Sequence, residues 1–262
     1  GIKKKKKKNN NNFFKFPFGS SPPLFFFFKE NSNQIQWFVQ TKELLYRWPY
    51  LIRYEPLFPK HFVSIELNAE ELAQQMTLMN FEVFRKVSPR ELLNKSWEGR
   101  DGWNKSPHLR HMIDQFDTEV KWAQLTLIQA PKVSKRVQWL CKLMDIATHC
   151  ERLGNFHTLV AMHTALKSCL VKKMSWTSLS RKQKTRFDEF QTYFDWKFSS
   201  LAQMQLRASA PAIPYIGFFC RDFYKHEEGG DYVQSDGSIN RNRLIAVMTH
   251  ADRLLCYKDV LY

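Results

Sequence analysis

The sequence has no pair of cysteines at CxxC spacing, and its five cysteines, Cys141, Cys150, Cys169, Cys220 and Cys256, are odd in number. That argues against a disulfide framework and fits a reducing compartment, so a cytoplasmic location is expected. Long apolar runs are also missing. No wholly apolar stretch is longer than Leu24–Phe28, far below the ~18 residues of a membrane span. Lysines followed by phenylalanines have the outline of a signal peptide, but Asn9–Asn12, Pro17, Pro22 and Pro23 interrupt any apolar region. The phosphate-binding GxxxxGKS/T, the metalloprotease HExxH, the dinucleotide GxGxxG and the hydrolase GxSxG are all absent. No carboxylate pair is placed by its spacing at a shared site. The sequence therefore gives no support to covalent catalysis, and no cofactor is expected. There is no alternating strand pattern and no internal repeat.

Acidic residues are in deficit, 25 against 40 basic ones, for a net charge of +15. Lys3–Lys8 supply six of those charges, which leaves +9 for the rest. Such a balance suits nucleic acid, an anionic membrane surface or an acidic protein, and does not choose among them. Residues 1–34 are low-complexity, a lysine block and an asparagine run followed by clustered phenylalanines. A block of like charges repels itself and asparagines bury nothing, so a disordered tail is expected. The sharper alternative is an electrostatic tether, Lys3–Lys8 on an anionic membrane with phenylalanines at its interface. Residues 35–61 mix Trp, Tyr and Pro without a clear period and read as a packed leader.

From residue 62 the signals are helical, and 44% hydrophobic content over 262 residues can bury a sizeable core. Asn68 and Glu71 read as a capping box opening a helix to about Val87, with Leu72, Met76, Met79 and Val83 on one face. Ser88-Pro89-Arg90-Glu91 is a second start signal. Ser106-Pro107 opens a long helix that must stop before Pro131. Val137, Leu140, Met144 and Ala147 mark another, ending at Gly154, and Phe156, Leu159, Val160, His163 and Leu166 the next. The stripe Phe187, Phe190, Phe194, Phe198, Leu201 predicts one helix over 180–208. Pro211 and Pro214 hold an extended strip. A helix over 217–228 ends at Gly229-Gly230, and a last helix runs from Ile239 to Tyr257 with Leu244, Val247, Ala251 and Leu254 inward. The expected fold class is all-α. His108, His111, Asp114 and Asp117 form one loose cluster, and His149, Cys150, His157 and His163 another. Zinc could in principle use either, but ordinary helical packing is the expectation, with no metal.

Four segments, in order, are similar to the catalytic domain of Ras guanine-nucleotide exchange factors, the family that includes son-of-sevenless. They are ELAQQMTLMNFEVFRKVSPRELLNKSW (71–97), RVQWLCKLMDIATHCERLGNF (136–156), PAIPYIGFFCRDFYKHEEGGDY (211–232) and INRNRLIAVM (239–248). They resemble, in turn, the family's Pro-x-Glu-Leu opening, its helix ending in Asn-Phe, its Pro-x-Ile-Pro-x-x-Gly signature with Glu-Glu-Gly, and its Ile-Asn-Phe-x-Lys-Arg segment. The resemblance implies an irregular helical bundle over 62–262 with a protruding helical hairpin. It implies a Ras-family small GTPase as partner, preferentially nucleotide-free, and no nucleic acid. The hairpin's first helix would begin at Gly217 and its return near Ile239. Glu228 matches the hairpin carboxylate near the GTPase's phosphate and magnesium site, and Tyr224 the residue facing the magnesium position. Ile113, Val160, Phe198 and Tyr215 would line a groove for the GTPase's switch II. Asp114, Lys167, Ser168, Gly217 and Arg221 fall on the GTPase-facing surface.

Some positions depart from the family. Lys167 stands where Asn is common, and Asp114 where son-of-sevenless carries Arg. Tyr224 replaces an apolar residue, and Gly230-Asp231 replaces Asn-Pro. The family's final helix is expected to lie beyond Tyr262. No upstream exchanger-motif domain fits in residues 1–61, so the hairpin is expected to be braced by further chain or by the leader. These departures define a rival expectation, a helical module that docks a GTPase without exchange. A basic nucleic-acid-binding helical protein is the more distant rival.

Overall fold

The computed structural model describes residues 68–194, 199–228 and 232–262. The tail, the leader, Phe198 and the tip residues Gly229, Gly230 and Asp231 lie outside the described residues. Among those described, ten α-helices carry the fold: α1 (Ala69–Phe84), α2 (Gly102–Lys105), α3 (Pro107–Ile128), α4 (Val133–Arg152), α5 (Phe156–Lys167), α6 (Cys169–Lys172), α7 (Arg181–Thr192), α8 (Ser199–Arg207), α9 (Ile216–Glu228) and α10 (Arg241–Cys256). A 3₁₀ segment spans Pro89–Lys95. Extended pairing among the described residues is limited to two isolated bridges, Asn155 with Ile213 and Val233 with Ile239. The all-α expectation holds.

The body is built by α3 packing on α5 and α1 on α4, with α4 and α5 joined. Leu72, Met76, Phe84, Leu109, Met112, Leu140, Leu143 and Leu159 fill the core. Its centre also holds a polar network. Asn155 caps α5 by accepting from Thr158 N–H at 3.0 Å. Its amide donates to the hydroxyls of Thr77 at 3.1 Å and Thr158 at 3.0 Å. Asn80 donates to the same Thr158 hydroxyl at 2.6 Å and accepts from Gln115. These bonds fix the mutual register of α1, α3 and α5, and they explain the Asn of the Asn-Phe pair. A buried amide with its partners removed would cost ~1–3 kcal/mol.

Glu119 on α3 is fully buried beside this network. Neither carboxyl oxygen reaches a partner in hydrogen-bonding geometry. Burial pushes its pKa up to about 8, although Asn80 and Thr158 approach closely enough to pull it partly back. His157 and His163 are shifted the other way. Burial lowers both to about 4, and the Lys167 charge adds to the effect at His163. A histidine depressed in the fold binds its proton less tightly than in the unfolded chain, so stability falls as pH drops from 6.5 towards 4. Each is expected to cost about 3 kcal/mol once protonated. Urea unfolding followed across that window checks this, and a flat profile would contradict it.

Several element boundaries differ from the sequence expectation. Asn68 accepts from Glu70 N–H at 3.0 Å, one residue short of Glu71. α1 stops at Phe84, because Val87 turns into the core while its carbonyl accepts from Lys258. The expected helix over 180–208 is two. α7 ends at Thr192, and Phe194 leaves the helix to pack against His163 at 4.8 Å. Leu244 is 42% exposed rather than inward. The Ser88 capping box forms as expected, with Glu91 accepting from Ser88 N–H at 3.3 Å.

Candidate functional site

The hairpin is placed by the extended strip before it. Gly154, at φ +70°, lets the chain turn so that Phe156 N–H donates to Ile213 O and Ile213 N–H to Gly154 O, both at 2.9 Å. A Cβ at Gly154 would meet Pro211 O and Ala212 Cβ at 3.3 Å. Tyr215 then sits at the mouth of α9, its N–H donating to Gln205 Oε1 at 3.1 Å. Its ring is flanked by Phe116 at 5.5 Å and Phe218 at 5.4 Å. Gly217 follows because nothing larger fits: a Cβ there would lie 2.5 Å from the Tyr215 ring. Gly217→Ala is expected to destabilise the chain by about 1–3 kcal/mol through overpacking, read as a lower urea midpoint.

α9 packs on the 3₁₀ segment and on α10. Between the two helices the chain makes a small closed turn. Gln234 N–H donates to Ser238 O at 2.8 Å, Asn240 N–H to Tyr232 O at 2.9 Å, and Gly237 adopts φ +81°. The return helix starts at Arg241, two residues after the expected Ile239, with Asn240 as its cap. Its outer face carries exposed Leu244, Ile245 and Met248. After α10 the chain docks back on the body, Tyr257 donating to Gln205 O at 2.7 Å.

The two hairpin residues expected to face a nucleotide lie at the end of α9. The Glu228 side chain is 59% exposed, and its ion pair with Lys95 is long, 4.0 Å. The Lys95 ammonium also sits 3.6 Å over the Tyr224 ring. Arg221 pairs with its neighbour Asp222 at 2.9 Å and lies over Phe218 at 4.8 Å.

The groove residues are partly brought together. Ile113 is half-buried on α3, one turn before Phe116, and so shares a face with it. Tyr215 stacks against that face. Val160 does not join them at the surface. It is 1% exposed, an internal residue of α5 facing the core, and offers a partner no surface. Asp114 is paired to Arg110 at 3.7 Å, and burial raises its pKa against the pull of Arg110 and Lys121. Lys167 ends α5, donates to Phe194 O at 3.5 Å and borders an open groove of about 600 Å³ with Trp176, Phe187 and Phe194. Ser168 caps α6 by accepting from Val171 N–H at 3.5 Å.

Neither histidine cluster gathers ligands. Among the described residues no group of three or more His, Cys, Asp or Glu side chains is placed to hold a metal ion. His108 binds Glu91 at 2.9 Å, and His157 faces Met112 O at 3.2 Å. Among the described residues no helix is long and apolar enough to cross a membrane. The sequence reading missed Phe116 and Phe218, whose spacing to Ile113 and adjacency to Gly217 could have shown them. It also missed Lys95, Glu227 and Arg243, which meet only through the fold.

Comparison with known proteins identifies the family of the domain. The family model described as the RasGEF domain matches residues 71–245. The chain is 29% identical over 202 residues to Ras guanine nucleotide exchange factor J of Dictyostelium discoideum, covering 73% of this chain and 25% of that protein. It is 32% identical to factor G of the same organism, covering 67% and 12%. It is 26% identical to the Son of sevenless homolog of Caenorhabditis elegans, covering 64% and 12%. The chain thus spans a quarter or less of the length of these three relatives. On the match across residues 71–245, the chain belongs to the RasGEF domain family.

Proposed function

We propose that this chain binds a Ras-family small GTPase and promotes GDP release so that GTP can load, without covalent chemistry. The observation that carries the reading is the outward carboxylate of Glu228 at the end of α9. It stands on a hairpin whose root is fixed to the body through Tyr215, Gly217 and the 3₁₀ segment. A carboxylate brought to a nucleotide site repels phosphate and competes for the cation's surroundings. Tyr224, one turn earlier on α9, faces the magnesium position. Ile113 and Tyr215, with Phe116 and Phe218 added, anchor switch II, as aromatic and apolar pockets do. Asp114, Lys167, Ser168 and Arg221 form the rim, with Phe198 placed in the groove by resemblance alone. Lys3–Lys8 supply an anionic-membrane tether, and the working location is cytoplasmic.

Binding alone suffices for such catalysis. The factor by which the exchanger weakens nucleotide equals the factor by which nucleotide weakens the exchanger. An acceleration of ~10⁴–10⁵ corresponds to ~5.5–7 kcal/mol, which an anchored switch II and an intruding hairpin supply as differential contacts. Returning GTP then ejects the exchanger. The test is affinity for one GTPase in two states. Nucleotide-free protein should bind at least a thousandfold more tightly than GDP-loaded protein, and equal affinity would sink the proposal. A salt-sensitive complex with RNA that survives deletion of Lys3–Lys8 would instead favour the nucleic-acid reading.

A further inference from the structure

Two consecutive glutamates end α9, and the fold treats them oppositely. Successive helical side chains point about 100° apart. Glu228 faces outward, whereas the Glu227 side chain is 12% exposed and turned into the hairpin root. Its two oxygens receive donors from three separate segments. Asn94 N–H, on the 3₁₀ segment, donates to Oε1 at 3.1 Å. Tyr232 OH, on the turn between the helices, donates to the same oxygen at 3.2 Å. Arg243, on α10, donates to Oε2 at 3.3 Å. The Arg243 side chain is itself only 6% exposed and lies 3.8 Å over the Tyr232 ring.

The body prepares its end of this junction. Asn94 and Lys95 are consecutive left-handed residues, φ 55° and 51°, a conformation that costs a non-glycine residue ~1 kcal/mol or more. That turn aims Asn94 N–H at Glu227 and the Lys95 ammonium at Tyr224 and Glu228. The 3₁₀ segment cannot drift, because Glu91 also accepts from Leu109 N–H at 2.8 Å, at the start of α3.

We infer that Glu227, with Arg243 and the Asn94–Lys95 turn, is a clamp that sets the angle of the hairpin to the body. Glu227 is a positioning residue: it acts on a GTPase only by where it holds Tyr224 and Glu228. The inference rests on the exchange reading for its effect on rate, but not for the clamp itself.

The test uses the whole 262-residue chain with two readouts. Glu227→Gln keeps the shape and removes the charge that compensates buried Arg243. It should lower kcat for GDP release about tenfold, the size of one charge-assisted hydrogen bond, with KM for the GTPase changed less than twofold. Adding Arg243→Gln should lower kcat no further, since both changes break one junction. Amide hydrogen exchange should quicken in α9 and α10 and stay unchanged in α3 and α5. Glu228→Gln should slow release without altering that exchange pattern. An unchanged kcat, additive losses, or equal loosening of the body and the hairpin would overturn the clamp. Should the wild-type chain accelerate release from no GTPase, the exchange reading falls. The clamp is then judged by hydrogen exchange alone, supported by selective hairpin loosening in Glu227→Gln and overturned without it.

Discussion

Glu228→Ala is expected to slow GDP release by about a hundredfold while leaving the unfolding midpoint unchanged. The two halves of this expectation have different physical sources. The side chain is 59% exposed and its ion pair with Lys95 is 4.0 Å long. Exposed pairs of that kind contribute ~0–1 kcal/mol to stability, and usually at the low end. Brought within ~4 Å of a phosphate, in an effective dielectric of ~20, the same carboxylate meets a repulsion of ~4 kcal/mol. A hundredfold in rate is ~2.7 kcal/mol, well inside that figure. A fluorescent-GDP release assay beside a thermal melt separates the halves. A matched fall in both would mean that Glu228 holds the fold. A change in neither would remove it from the mechanism.

Glu119→Gln is expected to stabilise the chain by about 1–3 kcal/mol at pH 7, an unusual sign for a core substitution. The folded-state pKa of Glu119 is raised to about 8. Its proton is therefore bound more tightly in the fold than in the unfolded chain, where a glutamate titrates near ~4.3. The associated stability is fully present below that value and is lost as pH rises through about 8. Glutamine is isosteric and needs no proton, so its advantage should vanish below pH ~4 and grow up to pH ~8. Urea unfolding of both proteins across that range measures it. A destabilised variant at pH 7 would mean that Glu119 is held as an ion by partners beyond those described. The variant also isolates the acid limb set by His157 and His163, which runs the other way.

Much of the fold was legible in the sequence because its helix starts are chemically explicit. Ser88-Pro89 and Ser106-Pro107 open elements where expected, and Gly154 at φ +70° ends the turn after α4. Periodicity was a poorer guide to continuity. The phenylalanine stripe predicted one helix over 180–208 because Phe187, Phe190, Phe194 and Leu201 all face inward. Inward residues keep their spacing across a bend as well as along a helix. Ser180 and Gln183 form a capping box at the start of α7, but no local signal marks its end at Thr192. Leu244 was placed inward by the same reasoning, and nothing in the sequence shows that the described body leaves that face of α10 uncovered.

The candidate site was legible as far as its motifs ran. Glu228, Tyr224, Tyr215 and Gly217 lie in one continuous segment, so the family resemblance proposes them together. The contacts that orient them were hidden by distance along the chain. Asn94 and Glu227 are 133 positions apart and meet only because the 3₁₀ segment packs on α9. Val160 illustrates the opposite failure, since an apolar residue on a helix reads alike whether it lines a groove or fills the core. Its 1% exposure decides for the core.

The most direct test of the account is release of fluorescent GDP from a panel of Ras-family GTPases, in excess GTP, with and without this chain. The account predicts acceleration of ~10³-fold or more for at least one member, a barrier change of ~4 kcal/mol, and an acceleration about a hundredfold smaller in Glu228→Ala. Folded chain that forms a complex with nucleotide-free GTPase yet leaves release unchanged across the panel would contradict it, and would make this a docking module rather than an exchanger.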